Sequence, residues 1–336
     1  HNEVAPAQHE LAPIFTSTNV ASDHNQLMME FMKRVALRHG LVCLLHEKPF
    51  EGVNGSGKHN NWSLSTAEGE NLLEPGKKPY ENIRFLVFLA AVIKAVDEYQ
   101  DLLRISVASA GNDHRLGANE APPAIVSIFL GTELTNVLEA IAADKVYEAG
   151  AAAYVKLSDD TIPALLKDNT DRNRTSPFAF TGNKFEFRML GSMFSIAGPN
   201  VVLNTIVADA LQQLYAKLAN AEDLKSAVYA VVKETYLAHK RIIFNGNGYT
   251  DSWVAEAEKR GLLNLKSTPE AIPYLTKEKN VALFVKHNIF TSAELKAREE
   301  ILLENYSTTI SLEASTMLEM FYKDILPAVS KYNAEI

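Results

Sequence analysis

The chain has 336 residues, of which 47% are hydrophobic and 22% are charged, and its net charge is −8 at pH 7. Such a composition is ordinary for a globular protein with a sizeable core, in one large domain or two. It excludes general nucleic-acid binding, because no cluster of Lys and Arg is dense enough to neutralise a run of phosphates.

The single cysteine, Cys43, excludes a disulfide framework, and its apolar surroundings predict a buried thiol in a cytoplasmic protein. The longest apolar run, residues 85–93, is far shorter than the ~20 residues that span a bilayer, so no membrane segment is predicted. The chain starts at His1 with no Met and no signal-type hydrophobic region, and we expect it to be incomplete at its N-terminus.

The first predicted element is the run of residues 3–10, which carries carboxylates at Glu3 and Glu10. In an unbroken strand these two side chains would face opposite ways, but a bulge or turn at Pro6 that adds one residue would bring both to one face, beside Gln8. Paired carboxylates hold hard cations such as Mg²⁺ or Mn²⁺. A solvated strand edge is the alternative.

A helix follows over residues 23–37, with Asp23 as its cap and Gly40 as its stop. A short apolar strand is predicted over residues 41–45. Spacing and length predict the remaining helices, which become almost continuous from Glu222 to the end of the chain. Their ranges are 80–103, 125–143, 201–218, 222–239, 254–262, 293–306 and 311–332.

Residues 54–63 contain a glycine turn that leads into an alternating polar run. As a strand, this run presents His59, Asn61 and Ser63 on one face. The glycines of the turn permit positive φ and a close approach of the backbone to a ligand. The pattern indicates the wall of an active site, although a lone histidine such as His59 can also be a hydrogen-bonded structural residue.

The same segment, from Gly52, is one residue short of a phosphate-binding P-loop. His59 stands where a P-loop has Ser or Thr after Lys58. A P-loop also opens a helix whose N-terminus holds the phosphates, and the residues after Gly57 are poor or middling helix formers. A P-loop NTPase therefore remains only as an alternative that requires a helix starting near Gly57.

A charged loop precedes Pro122 and Pro123 and contains Arg115 and Glu120. Arg115 suits bidentate binding of a carboxylate. Glu120 suits proton transfer from an amine or the shielding of a reactive intermediate from water. The alternative is a helix-entry loop with two exposed charges.

A polar segment over residues 156–177 is predicted to be a surface loop that leads to a functional element. The strand that follows, residues 184–189, alternates so that apolar side chains face one way and Lys184, Glu186 and Arg188 face the other. These charged side chains either clamp a metal and a carboxylate or form an ordinary surface ion pair. The glycine-rich residues 245–248 are interpreted as a turn.

Taken in order, these motifs over most of residues 1–215 resemble the catalytic barrel of glutamine synthetase, and in detail its large type III form. The resemblance implies an α+β fold with a curved, mostly antiparallel sheet that forms the catalytic funnel, backed by helices. It implies a catalytic domain over residues 1–218 and a helical C-terminal region over residues 219–336. The long loop before Thr175 and the helical region favour type III.

The resemblance also implies an activity. ATP phosphorylates the side-chain carboxylate of L-glutamate, and ammonia displaces the phosphate to give L-glutamine, in a homo-oligomer of stacked rings that uses Mg²⁺ or Mn²⁺. The residue roles are implied in the same way: the metal ligands are Glu3, Glu10, His59 and Glu186; the glutamate-binding residues are Asn54, Gly55, Arg115 and Arg188; the nucleotide-facing residues are Asn61, Ser63, Arg174 and Lys184; the catalytic residues are Glu120, Arg115 and Arg174.

Two departures from the family pattern stand out. Asn61 occupies the position of a second histidine in bacterial type I enzymes, so this position cannot carry charge. The family's active site also uses carboxylates from an upstream strand and a small N-terminal domain of the neighbouring subunit, and neither is in this sequence. A non-catalytic assembly piece that binds nucleotide or metal weakly is therefore the rival interpretation.

Overall fold

The structure, a computed structural model, describes residues 2–119, 121–147, 174–336 and the backbone of two short strands between them. Four strands form one sheet, and the two short strands pair with each other. In chain order the strands are Gly57–Trp62 (β1), Ile128–Phe129 (β2), Tyr154–Val155 (β3), Leu165–Leu166 (β4), Phe178–Phe180 (β5) and Phe185–Gly191 (β6). The large sheet has the order β1-β6-β5-β2, with antiparallel β1/β6 and β6/β5 pairs and a parallel β5/β2 pair. The expected mostly antiparallel sheet is confirmed.

The alternation predicted for β6 is confirmed, because its aromatic side chains fill the core. Phe185 and Phe187 are fully buried, and both contact Phe178 of the neighbouring strand, at ring-centroid distances of 4.9 and 5.8 Å. Aromatic pairs across neighbouring strands stabilise a sheet beyond the area they bury. The charged residues of β6 are thereby directed to the opposite face.

Most of the regular structure outside this sheet is helical in the described part of the chain. The longer helices are Thr18–Arg38 (α1), Ile83–Glu98 (α2), Gln100–Ile105 (α3), Ala110–Arg115 (α4), Gly131–Ala142 (α5), Ala197–Leu218 (α6), Leu224–His239 (α7), Asp251–Lys259 (α8), Glu278–Lys286 (α9), Ser292–Met320 (α10) and Leu326–Glu335 (α11). Short helical turns lie at Pro79–Glu81, Lys240–Ile242, Thr268–Ala271, Ile272–Tyr274 and Phe321–Ile325. The helical C-terminal region is confirmed. Among the described residues, no helix is both long enough and apolar enough to cross a membrane.

Several predicted boundaries are wrong for local physical reasons. Helix α1 begins at Thr18 after Ser17, whose extended backbone serves as the N-cap, rather than at Asp23. The predicted helix over residues 80–103 is interrupted at Tyr99, between α2 and α3. The helix predicted over residues 125–143 is a strand followed by α5, with the break at Gly131, which has a φ of 79°.

The strand predicted over residues 41–45 is also wrong. These residues are irregular, with Leu41 and Leu44 mostly exposed and Cys43 only half-buried. A strand needs a hydrogen-bonded neighbour, and the described residues supply none for this segment. Apolar composition alone was insufficient to form the element.

One continuous hydrophobic core includes residues of the sheet, of α2 and α6, and of the helices after residue 219. Buried polar contacts also join residues before position 219 to residues after it. Asp97 of α2 is 3% exposed and accepts hydrogen bonds from His239 Nδ1 at 2.8 Å and from Arg241 Nε at 2.7 Å. The division into a domain over residues 1–218 and a region over residues 219–336 stays a prediction. Residues on both sides of this division belong to one hydrophobic core.

Candidate active site

A polar face lies on the β1–β6 strand pair. Asn61 stands opposite Glu186 in the antiparallel register, and His59 and Arg188 point to the same side. His59 Nδ1 lies 2.8 Å from Glu186 Oε1, and Arg188 Nε lies 3.6 Å from Glu186 Oε2. The sequence prediction that these side chains share one face is confirmed by this register.

Glu186 is held as a carboxylate by its neighbours. Burial has the largest effect on its pKa and acts to raise it, but the hydrogen bond with His59 and the positive charge of Arg188 outweigh burial and lower the pKa below its ordinary value. The side chain is 16% exposed, so solvent still reaches it. An ionised carboxylate beside an imidazole and a guanidinium can coordinate a cation and orient a substrate carboxylate.

The P-loop alternative is wrong, because Gly57 begins strand β1 rather than a helix. The register shifts between Lys58 and Asn60, so that His59 stands opposite two residues of β6, Arg188 and Met189, and the β-bulge lies on β6. Lys58 turns away from the polar face and donates to the Phe194 carbonyl at 2.5 Å. Burial lowers the pKa of Lys58 to about 8. A bulge bends the strand that carries it and increases its local twist, here beside the imidazole of His59.

Close backbone approach, and not positive φ, explains the two glycines of the turn. Neither Gly55 nor Gly57 lies in the positive-φ region, so that part of the prediction is wrong. A Cβ at Gly55 would lie 2.6 Å from the Glu47 carbonyl oxygen, and one at Gly57 would lie 2.1 Å from Arg115 Nη2. Gly57 thus leaves the space that the guanidinium of Arg115 fills.

Arg115 is buried beneath β6. Its Nη1 donates to the carbonyls of Met189 at 3.3 Å and Leu190 at 3.1 Å, and its Nη2 donates to that of Arg188 at 3.1 Å. Asn112 Oδ1 accepts a further bond from Nη1 at 3.3 Å. Burial lowers the pKa of Arg115 to about 10. In this structure the guanidinium holds the strand that carries Glu186, and its role as a ligand of substrate stays a prediction.

Glu47 is a site-lining residue that sequence reasoning missed. Its side chain is 1% exposed, its Oε1 accepts from the Met193 N–H at 3.2 Å, and burial raises the pKa of its carboxyl. Gly111 and Gly191 leave room for it, since a Cβ at either position would lie within 2.4 Å of a Glu47 oxygen. Only its place just before the glycine turn marked it in the sequence.

Residues 2–9 reverse direction between Asn2 and His9, whereas the prediction was a strand with one residue added by a bulge or turn at Pro6. Asn2 and His9 form an antiparallel bridge, Glu3 N–H donates to the Gln8 carbonyl at 3.0 Å, and Ala7 has a φ of 55°. The break at Pro6 is therefore a full reversal of the chain rather than one extra residue. Glu3 and Glu10 are both exposed.

Gln8 fastens this N-terminal turn to the glycine turn. Its Nε2 donates to the Gly55 carbonyl at 3.1 Å and to Ser56 Oγ at 3.0 Å. The segment that carries Glu3 and Glu10 thus lies against the segment that carries Asn54 and His59. Within the described residues, however, no three His, Cys, Asp or Glu side chains form a group that could hold a metal ion.

Three of the residues predicted to face the nucleotide, Asn61, Ser63 and Lys184, lie on or next to the β1–β6 pair. Ser63 Oγ donates to Asn71 Oδ1 at 2.7 Å and to the Asn183 carbonyl at 3.1 Å, and Lys184 Nζ donates to Asn183 Oδ1 at 3.4 Å. Asn61 is exposed on the same strand. Their proximity agrees with a shared role, and that role stays a prediction.

Arg174 and Glu120 lie beyond this pair of strands. Arg174 is exposed, at the start of the segment that leads into β5, and its carbonyl accepts from the Tyr249 hydroxyl at 3.3 Å. Glu120 lies outside the residues that the structure describes. Its assigned part in proton transfer therefore stays a prediction.

The donor set of the polar face fits a hard divalent cation. His59 offers a ring nitrogen and Glu186 an ionised carboxylate, which together are ligands that Mn²⁺ and Mg²⁺ sites use. The two groups bond to each other across 2.8 Å and form half of a ligand set. Further carboxylates would complete it.

The sheet and its polar face define an α+β protein in which His59, Glu186 and Arg188 form a polar site. Two family models match the chain: "Glutamine synthetase, catalytic domain" over residues 1–126 and "Glutamine synthetase C-terminal domain" over residues 227–336. The glutamine synthetase of Butyrivibrio fibrisolvens is 57% identical over 343 aligned residues, covering 100% of this chain and 48% of that protein. The type-3 glutamine synthetase of Dictyostelium discoideum is 51% identical, covering 100% of this chain and 46% of that protein.

The chain belongs to the glutamine synthetase family. Among solved structures, apo GmaS without ligand matches with a TM-score of 0.39 and 17% identity, over 78% of this chain and 52% of that chain. The chain spans about half the length of the curated relatives it matches.

Proposed function

We propose that the protein carrying these residues ligates ammonia to the side-chain carboxylate of L-glutamate at the expense of ATP, and is a type III glutamine synthetase. The observation that carries the proposal is the cluster of His59, Glu186 and Arg188 on one face of the β1–β6 pair. Similarity to named glutamine synthetases over the whole chain supports it. The alternative of a non-catalytic assembly piece has no specific observation in its favour.

In the proposed reaction, a γ-carboxylate oxygen of glutamate attacks the terminal phosphorus of ATP, and ADP leaves. Ammonia then attacks the carbonyl carbon of γ-glutamyl phosphate, phosphate leaves, and a proton passes from the nitrogen to Glu120. Arg188 binds a carboxylate of glutamate, and Asn54 and Gly55 offer polar and backbone groups beside it. A bound divalent cation would neutralise charge on the transferred phosphoryl group.

Residues of this chain supply the remaining functions. His59 and Glu186, together with Glu3 and Glu10, would hold Mg²⁺ or Mn²⁺. Arg174 meets the phosphates, where a preplaced guanidinium stabilises charge that develops in the transition state. Lys184, Ser63 and Asn61 face the nucleotide. Arg115 holds the strand of Glu186 and Arg188 in register. It binds glutamate only through those N–H groups of its guanidinium that do not donate to the β6 carbonyls.

The proposal includes a homo-oligomer, because family members complete each active site from a neighbouring subunit. A cytoplasmic location is proposed from the lone cysteine. These two statements follow from the sequence and the family, and they concern the whole protein rather than this chain alone.

Isotope transfer tests the proposed reaction directly. The full-length protein is incubated with ATP, Mg²⁺, ammonium and L-glutamate labelled with ¹⁸O in the γ-carboxylate, and the released phosphate is analysed by mass spectrometry. One labelled oxygen should move from glutamate to phosphate for each glutamine formed, since the phosphorylated oxygen leaves with phosphate. ATP hydrolysis without glutamine, or glutamine without label in phosphate, would contradict the mechanism.

Arg188→Lys tests the substrate site in the same assay. Because lysine cannot form two parallel bonds with a carboxylate, the KM for glutamate should rise about tenfold or more while the KM for ATP changes little. Arg84→Lys is the matched control, since Arg84 forms an exposed pair with Glu70 away from the sheet face. Equal effects of the two substitutions on the KM for glutamate would argue against the role of Arg188.

A further inference from the structure

The residues 245–249, here called the 245–249 turn, come from the region after α7 and lie against the segment that begins at Arg174. Gly248 N–H donates to Thr175 Oγ1 at 2.9 Å, and the same hydroxyl donates to the Gly246 carbonyl at 3.5 Å. The Tyr249 hydroxyl donates to the Arg174 carbonyl at 3.3 Å. Three hydrogen bonds therefore join this turn to two consecutive residues.

The turn is itself fixed to the sheet and to α5. Asn245 Oδ1 accepts from the N–H groups of Leu130 and Gly131, each at 3.0 Å, and its Nδ2 donates to Thr135 Oγ1 at 2.8 Å. Phe244 N–H donates to the Ile128 carbonyl of β2 at 2.8 Å. The turn is thus anchored on the sheet and on α5. Through its hydrogen bonds to Arg174 and Thr175 it holds the backbone of Arg174 in place.

Gly248 is required by the closeness of this contact, and Gly246 by the ring of Phe244 next to the turn. A Cβ at Gly248 would lie 2.7 Å from the Thr175 carbonyl oxygen, and a Cβ at Gly246 would lie 2.4 Å from the ring of Phe244. Backbone and a packed aromatic ring cannot move aside as a flexible side chain would. Gly248 therefore serves the contact with the Arg174 segment, and the stretch is more than a simple chain reversal.

The two residues whose hydroxyls make this contact differ in exposure. Thr175 is 6% exposed, whereas Tyr249 is 43% exposed. Thr175 is therefore buried, while Tyr249 is open to solvent.

We propose that Thr175 and Tyr249 are positioning residues that orient Arg174 for the nucleotide phosphates, so that the C-terminal region takes part in nucleotide binding. This inference rests on the proposed function, because Arg174 has its phosphate role only there. Fixing the backbone of Arg174 in advance lowers the ordering cost when a phosphate binds. Loss of one such hydrogen bond corresponds to about a three- to tenfold loss of affinity.

The experiment measures MgADP binding to the full-length protein by calorimetry and the KM values for ATP and glutamate. Thr175→Val keeps the shape and removes the hydroxyl, and Tyr249→Phe keeps the ring. Each should raise the dissociation constant of MgADP about three- to tenfold and raise the KM for ATP, with the KM for glutamate within about twofold of wild type. Thr175→Ser should restore the affinity. Thr309→Val, which removes an exposed hydroxyl in α10, is the matched control.

A double substitution shows whether the effect passes through Arg174. In an Arg174→Ala background, Thr175→Val should weaken MgADP binding little further, because the group it positions is gone. Unchanged MgADP affinity in Thr175→Val and Tyr249→Phe, or equal increases in both KM values, would overturn the inference. If wild type binds MgADP and these variants weaken it but no glutamine forms, the proposed function fails and the positioning role stands. If wild type binds no MgADP, the positioning role is overturned.

Discussion

The position of the buried Arg115 guanidinium leads to a quantitative prediction for the substitution Gly57→Ala. In Gly57→Ala the new methyl group would lie 2.1 Å from Arg115 Nη2. The guanidinium cannot retreat without loosening its bonds to the carbonyls of Arg188, Met189 and Leu190. Overpacking against a fixed group costs about 1–3 kcal/mol of unfolding free energy.

The same substitution should be nearly harmless once the guanidinium is removed. Because Gly57 does not have a positive φ, alanine fits its backbone, and the change from glycine even restricts the unfolded chain. In an Arg115→Ala background, Gly57→Ala should therefore change stability by less than about 0.5 kcal/mol. The coupling energy between the two sites is then about 1–3 kcal/mol.

Urea unfolding of wild type, both single variants and the double variant measures this coupling. Fluorescence is a suitable signal, because Trp62 of β1 is 3% exposed and should report the loss of the sheet. Gly198→Ala is the control, since a Cβ there meets open space. An equal cost of Gly57→Ala in the two backgrounds would refute the placement of Arg115 against β1.

Two further predictions concern buried carboxylates. Since the fold lowers the pKa of Glu186 below its ordinary value of 4.5, its ionised form stabilises the fold above that pH, and this contribution is lost as the pH falls through the folded pKa. Glu186→Gln should therefore flatten the dependence of the thermal midpoint on pH in that acidic range. Asp97→Ala removes the acceptor of His239 and Arg241 and should lower the unfolding free energy in urea by about 3–5 kcal/mol.

Glu81→Gln is a common control for both variants, because Glu81 forms an exposed pair with Lys78. Such pairs contribute about 0–1 kcal/mol, and the substitution should alter neither measurement appreciably. If the thermal midpoint of Glu186→Gln fell with decreasing pH as steeply as that of wild type, the first prediction would be contradicted. A loss of less than about 1 kcal/mol in Asp97→Ala would contradict the second.

Local periodicity in the sequence was sufficient to predict the face of Glu186 and Arg188. A strand of alternating aromatic and charged residues can be oriented in only one way against a core, so the position of Phe187 determined that of its neighbours. The pairing of His59 with Glu186 followed from two such strands in register. What alternation could not foresee was the bulge on β6 opposite His59, which depends on contacts across the sheet.

The remaining differences come from interactions distant in sequence. Arg115 satisfies carbonyls on a strand more than seventy positions away, so its charge in the sequence suggested a ligand rather than a support for the strand. Glu47 is hidden between two glycines that local pattern cannot relate to it. The predictions of a strand over residues 41–45 and of a strand around Pro6 were wrong. A strand forms only with a hydrogen-bonded partner strand, and neither segment has one among the described residues.

The hydrogen bonds of Asp97 with His239 and Arg241 determine how the protein can be divided into fragments. The two segments that match separate family models each contain one side of this buried contact. Expressed apart, one half would expose an apolar surface with an unpaired carboxylate, and the other would lose the hydrogen-bond acceptor of His239 and Arg241. The halves should therefore behave as an obligate pair, recovering structure by complementation in trans, and cannot be exchanged among relatives as independent modules.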